Sequence, residues 1–259
     1  MDLGLRDRHA IVCASSKGLG RACAESLARE GVHLTLCARG DGPLQAVATE
    51  LRTLHGITVQ AVACDITTPA GREAVLAACP APDILVNNAG GPPLQDFRQL
   101  STADWQQALN ANMLTPIELI KATIDGMIQR RFGRIINITS GTVKAPMPLF
   151  DLSNGARSGL TGFIGGLARQ VVQHNVTINN LLPGFFMTDR VSSALTGLAA
   201  KRGVSFEQQL AERVKSIPAG RIGDPAELGD ACAYLCSAQA AFITGQNLLL
   251  DGGAYPGTF

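Results

Sequence analysis

Residues 9 to 30 read H-A-I-V-C-A-S-S-K-G-L-G-R-A-C-A-E-S-L-A-R-E. The run His9 to Ala14 is short and apolar, the pattern of a strand buried on both faces. From Gly18 to Glu30 the pattern turns helical. Between them lies C-A-S-S-K-G-L-G, residues 13 to 20. Glycines at such a turn let backbone N–H groups approach a pyrophosphate, and the N-terminus of the following helix adds favourable partial charge. The order strand, glycine turn, helix is the opening unit of a parallel α/β sheet.

The rhythm continues down the chain. Further strand-like runs are His33 to Ala38, Thr58 to Ala63, Ile84 to Asn87, Arg134 to Ile138, Thr177 to Leu182 and Gln246 to Leu250. Helical patterns cover Leu44 to His55, Pro69 to Ala78, Thr102 to Arg130, Leu152 to Gln173 and Pro225 to Ser237. This alternation predicts one doubly wound α/β domain of Rossmann type over residues 1–259, a parallel seven-stranded sheet with helices on both faces. One segment breaks the rhythm. Thr188 to Ser216 is a long insertion carrying Leu195, Leu198 and Phe206, and its place after a parallel strand predicts a lid over a ligand.

With 46% hydrophobic and 17% charged residues the chain reads as globular, and its net charge of +1 gives no argument for nucleic acid or an anionic membrane. The 7 Cys form no C-x-x-C pair, so buried free thiols and no metal site are expected. No signal-peptide pattern and no membrane-length run occur, and the expected location is the cytoplasm.

Four motifs carry a family resemblance that covers nearly the whole chain. They are the glycine turn at 13–20, N-N-A-G at 87–90, P-G-F-F-M-T at 183–188 and I-T-G-Q-N-L-L-L-D-G-G at 243–253. The chain resembles the short-chain dehydrogenase/reductase family, of the 3-oxoacyl-acyl-carrier-protein reductase type. The resemblance implies a nicotinamide nucleotide held by Ala14, Ser16, Lys17, Gly18, Leu19 and Gly20, by Asp65 at the adenine, by Asn88, Ala89 and Gly90, and by Pro183, Gly184 and Thr188. Ala14 stands where the family has glycine, which is tolerable if its φ is negative. Asp65 also reads as part of a D-x-T turn capping the next helix. Lys17, together with Arg39 where NAD-preferring members carry an acid, favours the 2′-phosphate of NADP(H).

The same resemblance places a catalytic set at Asn112, Ser140, Ser153 and Arg157. Ser140 to Arg157 reads S-G-T-V-K-A-P-M-P-L-F-D-L-S-N-G-A-R. In the family a Tyr stands at position 153 and a Lys at position 157, so the resemblance implies an altered acid/base. A Ser hydroxyl is a poor general acid, and an Arg is a fork of donors that holds its proton at neutral pH. The implied Arg157 grips the nicotinamide ribose or stabilises an oxyanion. Proton sources open to it are water through Ser153, Asp151, the loop residue Lys144, or the tail residue Tyr255 of a neighbouring subunit. Tyr234 reads as core.

Pro92, Pro93, Leu94, Met147, Pro148, Leu149, Phe185, Phe186 and Met187 are expected around the cleft mouth, which fits an apolar or acyl substrate or plain loop packing. Arg130 and Arg131 fit either carrier-protein contact or a helix C-terminus. Three readings follow: an NADP(H)-dependent oxidoreductase on a carbonyl/alcohol pair, a non-catalytic NADP-binding homologue, and a cofactor-free lyase. The family's dimer bundle corresponds to Thr102 to Arg130 and Leu152 to Gln173, with Gly155, Gly159, Gly162, Gly165 and Gly166 permitting close packing. A homotetramer or homodimer is expected.

Overall fold

The computed structural model describes residues 1–258. Its seven strands are β1 (His9–Cys13), β2 (His33–Ala38), β3 (Val59–Ala63), β4 (Ile84–Asn87), β5 (Gly133–Ile138), β6 (Val176–Pro183) and β7 (Asn247–Leu250). They form one sheet in the order β3-β2-β1-β4-β5-β6-β7, and every pairing is parallel. The strand order reverses between β1 and β4, so a crevice opens at their carboxyl ends, beside the glycine turn.

The helices are α1 (Gly18–Arg29), α2 (Asp41–His55), α3 (Pro69–Ala78), α4 (Thr102–Leu109), α5 (Thr115–Arg130), α6 (Asp151–Val171), α7 (Asp189–Arg202), α8 (Phe206–Val214) and α9 (Pro225–Cys236). One apolar cluster joins Leu27, Leu36, Leu44, Val86, Leu228 and Cys236 on the α1, α2 and α9 face. The other joins Ile11, Leu85, Ile120, Ile135, Leu160 and Ile178 on the α3, α5 and α6 face. Residues alternate between these clusters along the inner strands, as in β1 with Ala10 and Val12 in one and Ile11 and Cys13 in the other, as a doubly covered sheet requires. At α1 and α9 the backbones approach closely: a Cβ on Gly229 would lie 2.8 Å from the Ala22 carbonyl carbon.

The expected strands and helices are all present, with ends moved by a few residues. Three readings change. The helix expected over Thr102 to Arg130 is interrupted by a π-turn at Asn110–Leu114. Pro116 has no N–H to offer the carbonyl of Asn112, so the α ladder cannot run straight through and the register slips to i+5. Tyr234 is not core but 41% exposed, because α9 buries Cys232, Ala233, Leu235 and Cys236 and turns position 234 outward. Gly155 and Gly159 serve packing within the chain: a Cβ there would lie 2.9 Å from Trp105 and 2.8 Å from Met113 Sδ. Gly162, Gly165 and Gly166 face open space.

The insertion after β6 is two helices, α7 and α8. Each starts on a side-chain cap, Thr188 for α7 and Ser205 for α8. All seven cysteines are free and six are buried, Cys64 being half-exposed. Among the described residues no helix is long and apolar enough to cross a membrane.

The sheet also holds a row of amides. Asn87, Asn137, Asn180 and Asn247 lie in register on β4 to β7. Asn87 Nδ2 donates to Asn137 Oδ1 at 2.9 Å, Asn137 Nδ2 to Asn180 Oδ1 at 3.0 Å, and Asn180 Nδ2 to Asn247 Oδ1 at 2.8 Å. In the low-dielectric interior such linked bonds fix the relative heights of the strand ends. The floor of the cleft is therefore rigid where β5 delivers Ser140.

Candidate active site

The glycine turn folds as a cradle. Ala14 and Gly18 both take left-handed conformations, φ 50 and φ 60. The condition under which alanine sits there without strain, a negative φ, is therefore not met; the Cβ costs about 1–2 kcal/mol, which the surrounding contacts must offset. Gly20 has no room for a side chain, since a Cβ would lie 2.8 Å from Asn88 Nδ2 and 2.9 Å from the Ala14 carbonyl carbon. That contact draws the 13–20 loop and the N-N-A-G segment together.

The N-terminus of α1 has no side-chain cap and no acid in its first turn. Five other helices, α3, α4, α7, α8 and α9, begin on a side-chain oxygen. The orphan N–H groups of α1, with Lys17 beside them, are what a pyrophosphate needs. The residues present therefore fit a dinucleotide.

The far wall of the groove comes from the segment after β6. A Cβ on Gly18 would lie 3.6 Å from Thr188 Cγ2, so the two walls meet there. Thr188 Oγ1 accepts from Val191 N at 3.4 Å. Lys17 Nζ lies 3.7 Å from Asp189 Oδ2, an exposed pair of small energetic weight. Asp65 is not the cap of α3. Its Oδ1 accepts from Thr67 N at 3.0 Å and Thr67 Oγ1 at 2.7 Å, and these bonds hold its acidity below the usual carboxylate range, with the Arg39 charge adding to the effect. The cap is Thr68, whose Oγ1 accepts from Gly71 N. Arg39 is exposed at the end of β2.

Ser140 lies just past the carboxyl end of β5 and Arg157 is bonded to that end, while Ser153 stands on α6 and Asn112 in the π-turn that packs against α6. Ser140 Oγ accepts from Thr142 N at 3.2 Å and from Thr142 Oγ1 at 3.0 Å, which leaves its own proton to donate. Ser153 and Arg157 are one turn apart on α6 and both are buried. Arg157 Nη1 donates to the carbonyls of Ile138 and Thr139, each at 2.8 Å. Its Nε is buried without a partner, as is Asn112 Oδ1 in the π-turn. Burial, and after it the charge of Arg190, pulls Arg157 down to about 10. It is still a cation at neutral pH, and among the described residues no carboxylate pairs with it.

Several expected residues land elsewhere. Arg130 Nη2 donates to Pro82 O at 2.6 Å and its Nε lies 3.7 Å from Asp83, a structural tie at the opposite end of the sheet. Lys144 is half-buried rather than exposed, with its ammonium 5.9 Å from the ring centre of Tyr255 in the same chain. Phe186 is buried, while Leu94, Leu149 and Met187 remain exposed at the rim.

The sequence reading missed Arg190. Its Nη2 donates to Pro92 O at 3.0 Å, which joins the start of α7 to the loop after β4. A cation two residues beyond Thr188 was the available signal.

Fold and site together define a nucleotide-binding α/β protein with Ser140 and Arg157 gathered at the carboxyl end of β5. Residues 13–255 match the family described as enoyl-(acyl carrier protein) reductase. The chain is 35% identical to 3-oxoacyl-[acyl-carrier-protein] reductase FabG of Vibrio harveyi, over 98% of this chain and 99% of that one. It is 34% identical to the FabG of Escherichia coli K12, over 95% and 96%. L-sorbose reductase of Gluconobacter frateurii, solved with NADPH and L-sorbose, superposes with a TM-score of 0.94 at 30% identity, covering 98% of each chain. The chain belongs to the short-chain dehydrogenase/reductase family, a family of oxidoreductases.

Proposed function

We propose that this chain is an NADP(H)-dependent oxidoreductase that interconverts a carbonyl and a hydroxyl group on a small or acyl-type substrate, using a non-standard acid/base. The observation that carries this reading is the uncapped, acid-free N-terminus of α1 beside Lys17, opening on the same crevice as Ser140. Ala14 to Gly20 would hold the pyrophosphate, and Lys17 with Arg39 the 2′-phosphate. Asp65 would take the adenine through its second carboxylate oxygen. Asn88, Ala89, Gly90, Pro183, Gly184 and Thr188 would line the nicotinamide half. When bound, the nucleotide supplies the hydride.

The chain's own residues then handle the oxygen of the substrate. Ser140 donates a hydrogen bond to it and polarises the carbonyl. On the resemblance, position 153 stands where the family keeps its Tyr and position 157 where it keeps its Lys, so the proton would come from water along the Ser153 hydroxyl, from Asp151 or Lys144, or from Tyr255 of a neighbouring subunit. Arg157 contributes positive charge toward the developing alkoxide and surrenders no proton at neutral pH. Residues 188–216 act as the lid, hinged where α7 meets the glycine turn. The open face of α6 at Gly162, Gly165 and Gly166, next to exposed Phe163, fits the homodimer contact from which a tetramer would be built.

Two measurements test the reading. NADPH titrated by calorimetry should bind, and the complex should consume NADPH with some member of a panel of ketones, aldehydes and 3-oxoacyl thioesters. Binding with no turnover anywhere in the panel would move the chain to the non-catalytic reading, which the inward-turned Arg157 guanidinium favours. A second prediction concerns the nucleotide alone. Arg39→Asp should lower the NADPH/NADH preference by at least about tenfold, since a charge-assisted contact to phosphate is replaced by repulsion. An unchanged ratio of dissociation constants would remove Arg39 from the phosphate site.

A further inference from the structure

Two guanidinium groups lie near the end of β5, Arg157 buried beneath it and Arg190 exposed beyond it, and among the described residues neither is paired with an acid. Arg157 has 7% exposure and is bonded only to the backbone carbonyls of Ile138 and Thr139. Arg190, in the first turn of α7 after β6, reaches Pro92 in the segment after β4, and the strand order puts β5, the strand that leads to Ser140, between those two strands. Gly91 makes the bed for this crossing, because a Cβ there would occupy the position of the Arg190 guanidinium. The one acid in the first turn of α7, Asp189, is paired with Lys17 instead. Among the described residues no ion pair includes Arg157 or Arg190. Arg157 is the buried one of the two, and a buried cation with no counter-charge carries a cost that a nearby anionic ligand offsets; Arg190 is exposed, so its donors are open to such a ligand.

Building on the carbonyl-reductase reading, we propose that the substrate is an oxo acid. Its carbonyl rests on Ser140, its carboxylate is received by Arg190, and Arg157 adds positive charge from below. A guanidinium matches a carboxylate through paired N–H donors. Arg190 has such donors to give, since its Nη2 is engaged with a single loop carbonyl. On this assignment Arg190 selects the substrate and takes no part in hydride or proton transfer. Neutral ketones and esters of the same shape fit the cleft but leave both cations unpaired.

The test compares 2-oxobutanoate and 3-oxobutanoate with their methyl esters. Binding is measured by calorimetry on the NADP⁺-loaded protein and on the free protein, and turnover with NADPH is measured in parallel. At least one acid should bind the loaded protein about tenfold or more tighter than its ester. Arg190→Gln should bring that ratio near one while changing NADPH affinity by less than about twofold. Gly91→Ala, which displaces the guanidinium without altering charge, should do the same. Esters binding as well as acids, neither binding at all, or a preference that survives Arg190→Gln would overturn the proposal. So would an Arg190→Gln variant that loses tenfold in NADPH affinity and keeps its acid/ester ratio, because Arg190 would then serve the nucleotide. Failure of the oxidoreductase reading shows separately, as absent NADPH binding or absent turnover beside an intact acid/ester ratio.

Discussion

Ser153→Tyr combined with Arg157→Lys should raise NADPH-dependent carbonyl reduction by about 10²–10⁴-fold in kcat, the usual contribution of one positioned acid/base. On the proposed reading the wild-type site offers the hydroxyls of Ser140 and Ser153 where the family keeps a phenol. Ser140 is oriented by Thr142, yet an aliphatic hydroxyl gives up its proton only far above neutrality. Ser153 sits one turn before Arg157 on the buried face of α6, so a phenol there would enter the same space. A Lys one turn later stabilises the phenolate and brings its acidity toward working pH. Arg157 serves that purpose poorly, because Nη1 is bonded to the end of β5 and the charge points into backbone carbonyls. The single Ser153→Tyr change should therefore recover less than the double. A double variant that melts like wild type and binds NADPH, yet reduces no faster, would show that the slow step lies outside proton transfer.

The fold was legible because each strand is a short apolar run between glycine or polar turns. Burial on both faces leaves such a run little freedom of composition, and the ends of β2 and β4 fell on the residues expected. The cofactor half of the site was legible for a related reason: it is built of backbone, and backbone demands show as glycines at 18 and 20. What escaped was tertiary. The π-turn at Asn110–Leu114 depends on one missing N–H at Pro116, while the surrounding periodicity stays helical. Tyr234 was misplaced because the apolar pattern of A-C-A-Y-L-C does not reveal which side of α9 meets α1. The asparagine row across β4 to β7 draws single residues from four distant segments, and its meaning exists only once the strands are in register.

Charges were the least legible feature. Lys17 and Arg39 stood beside recognisable strand ends and could be read for what they would bind. Arg190 lies in the lid, where local pattern says only that a helix begins. Its reach to Pro92 crosses from the start of α7 to the loop after β4 across 98 positions of chain. The same holds for Arg157, whose type was plain but whose rotamer was not. As a fork of donors it was free to face the nucleotide; the structure turns one arm toward Ile138 and Thr139. The chemistry of position 157 thus follows from the local geometry of β5 as much as from the residue itself.

Gly20→Val should weaken NADPH binding by roughly 10² or more and destabilise the protein by about 1–3 kcal/mol. Even the first added carbon would collide with the Ala14 carbonyl and sit 2.8 Å from Asn88 Nδ2. Two of its three neighbours are backbone atoms of the cradle itself, so relief requires α1 to move away from the 13–20 loop. That motion withdraws the N–H groups of the helix start from the phosphates, and each charge-assisted bond so lost is worth about 1.5–3 kcal/mol. Gly197→Ala in α7 supplies the contrast, since a Cβ there meets nothing within 4 Å and its φ is not left-handed. Alanine in that helix interior should stabilise by about 0.5–1 kcal/mol and leave nucleotide affinity alone. Calorimetric titration and thermal melting of both variants separate the two effects. A Gly20→Val protein that keeps wild-type NADPH affinity would show that the nucleotide does not rest on the first glycine turn, and the assignment of residues 14 to 20 would fail with it.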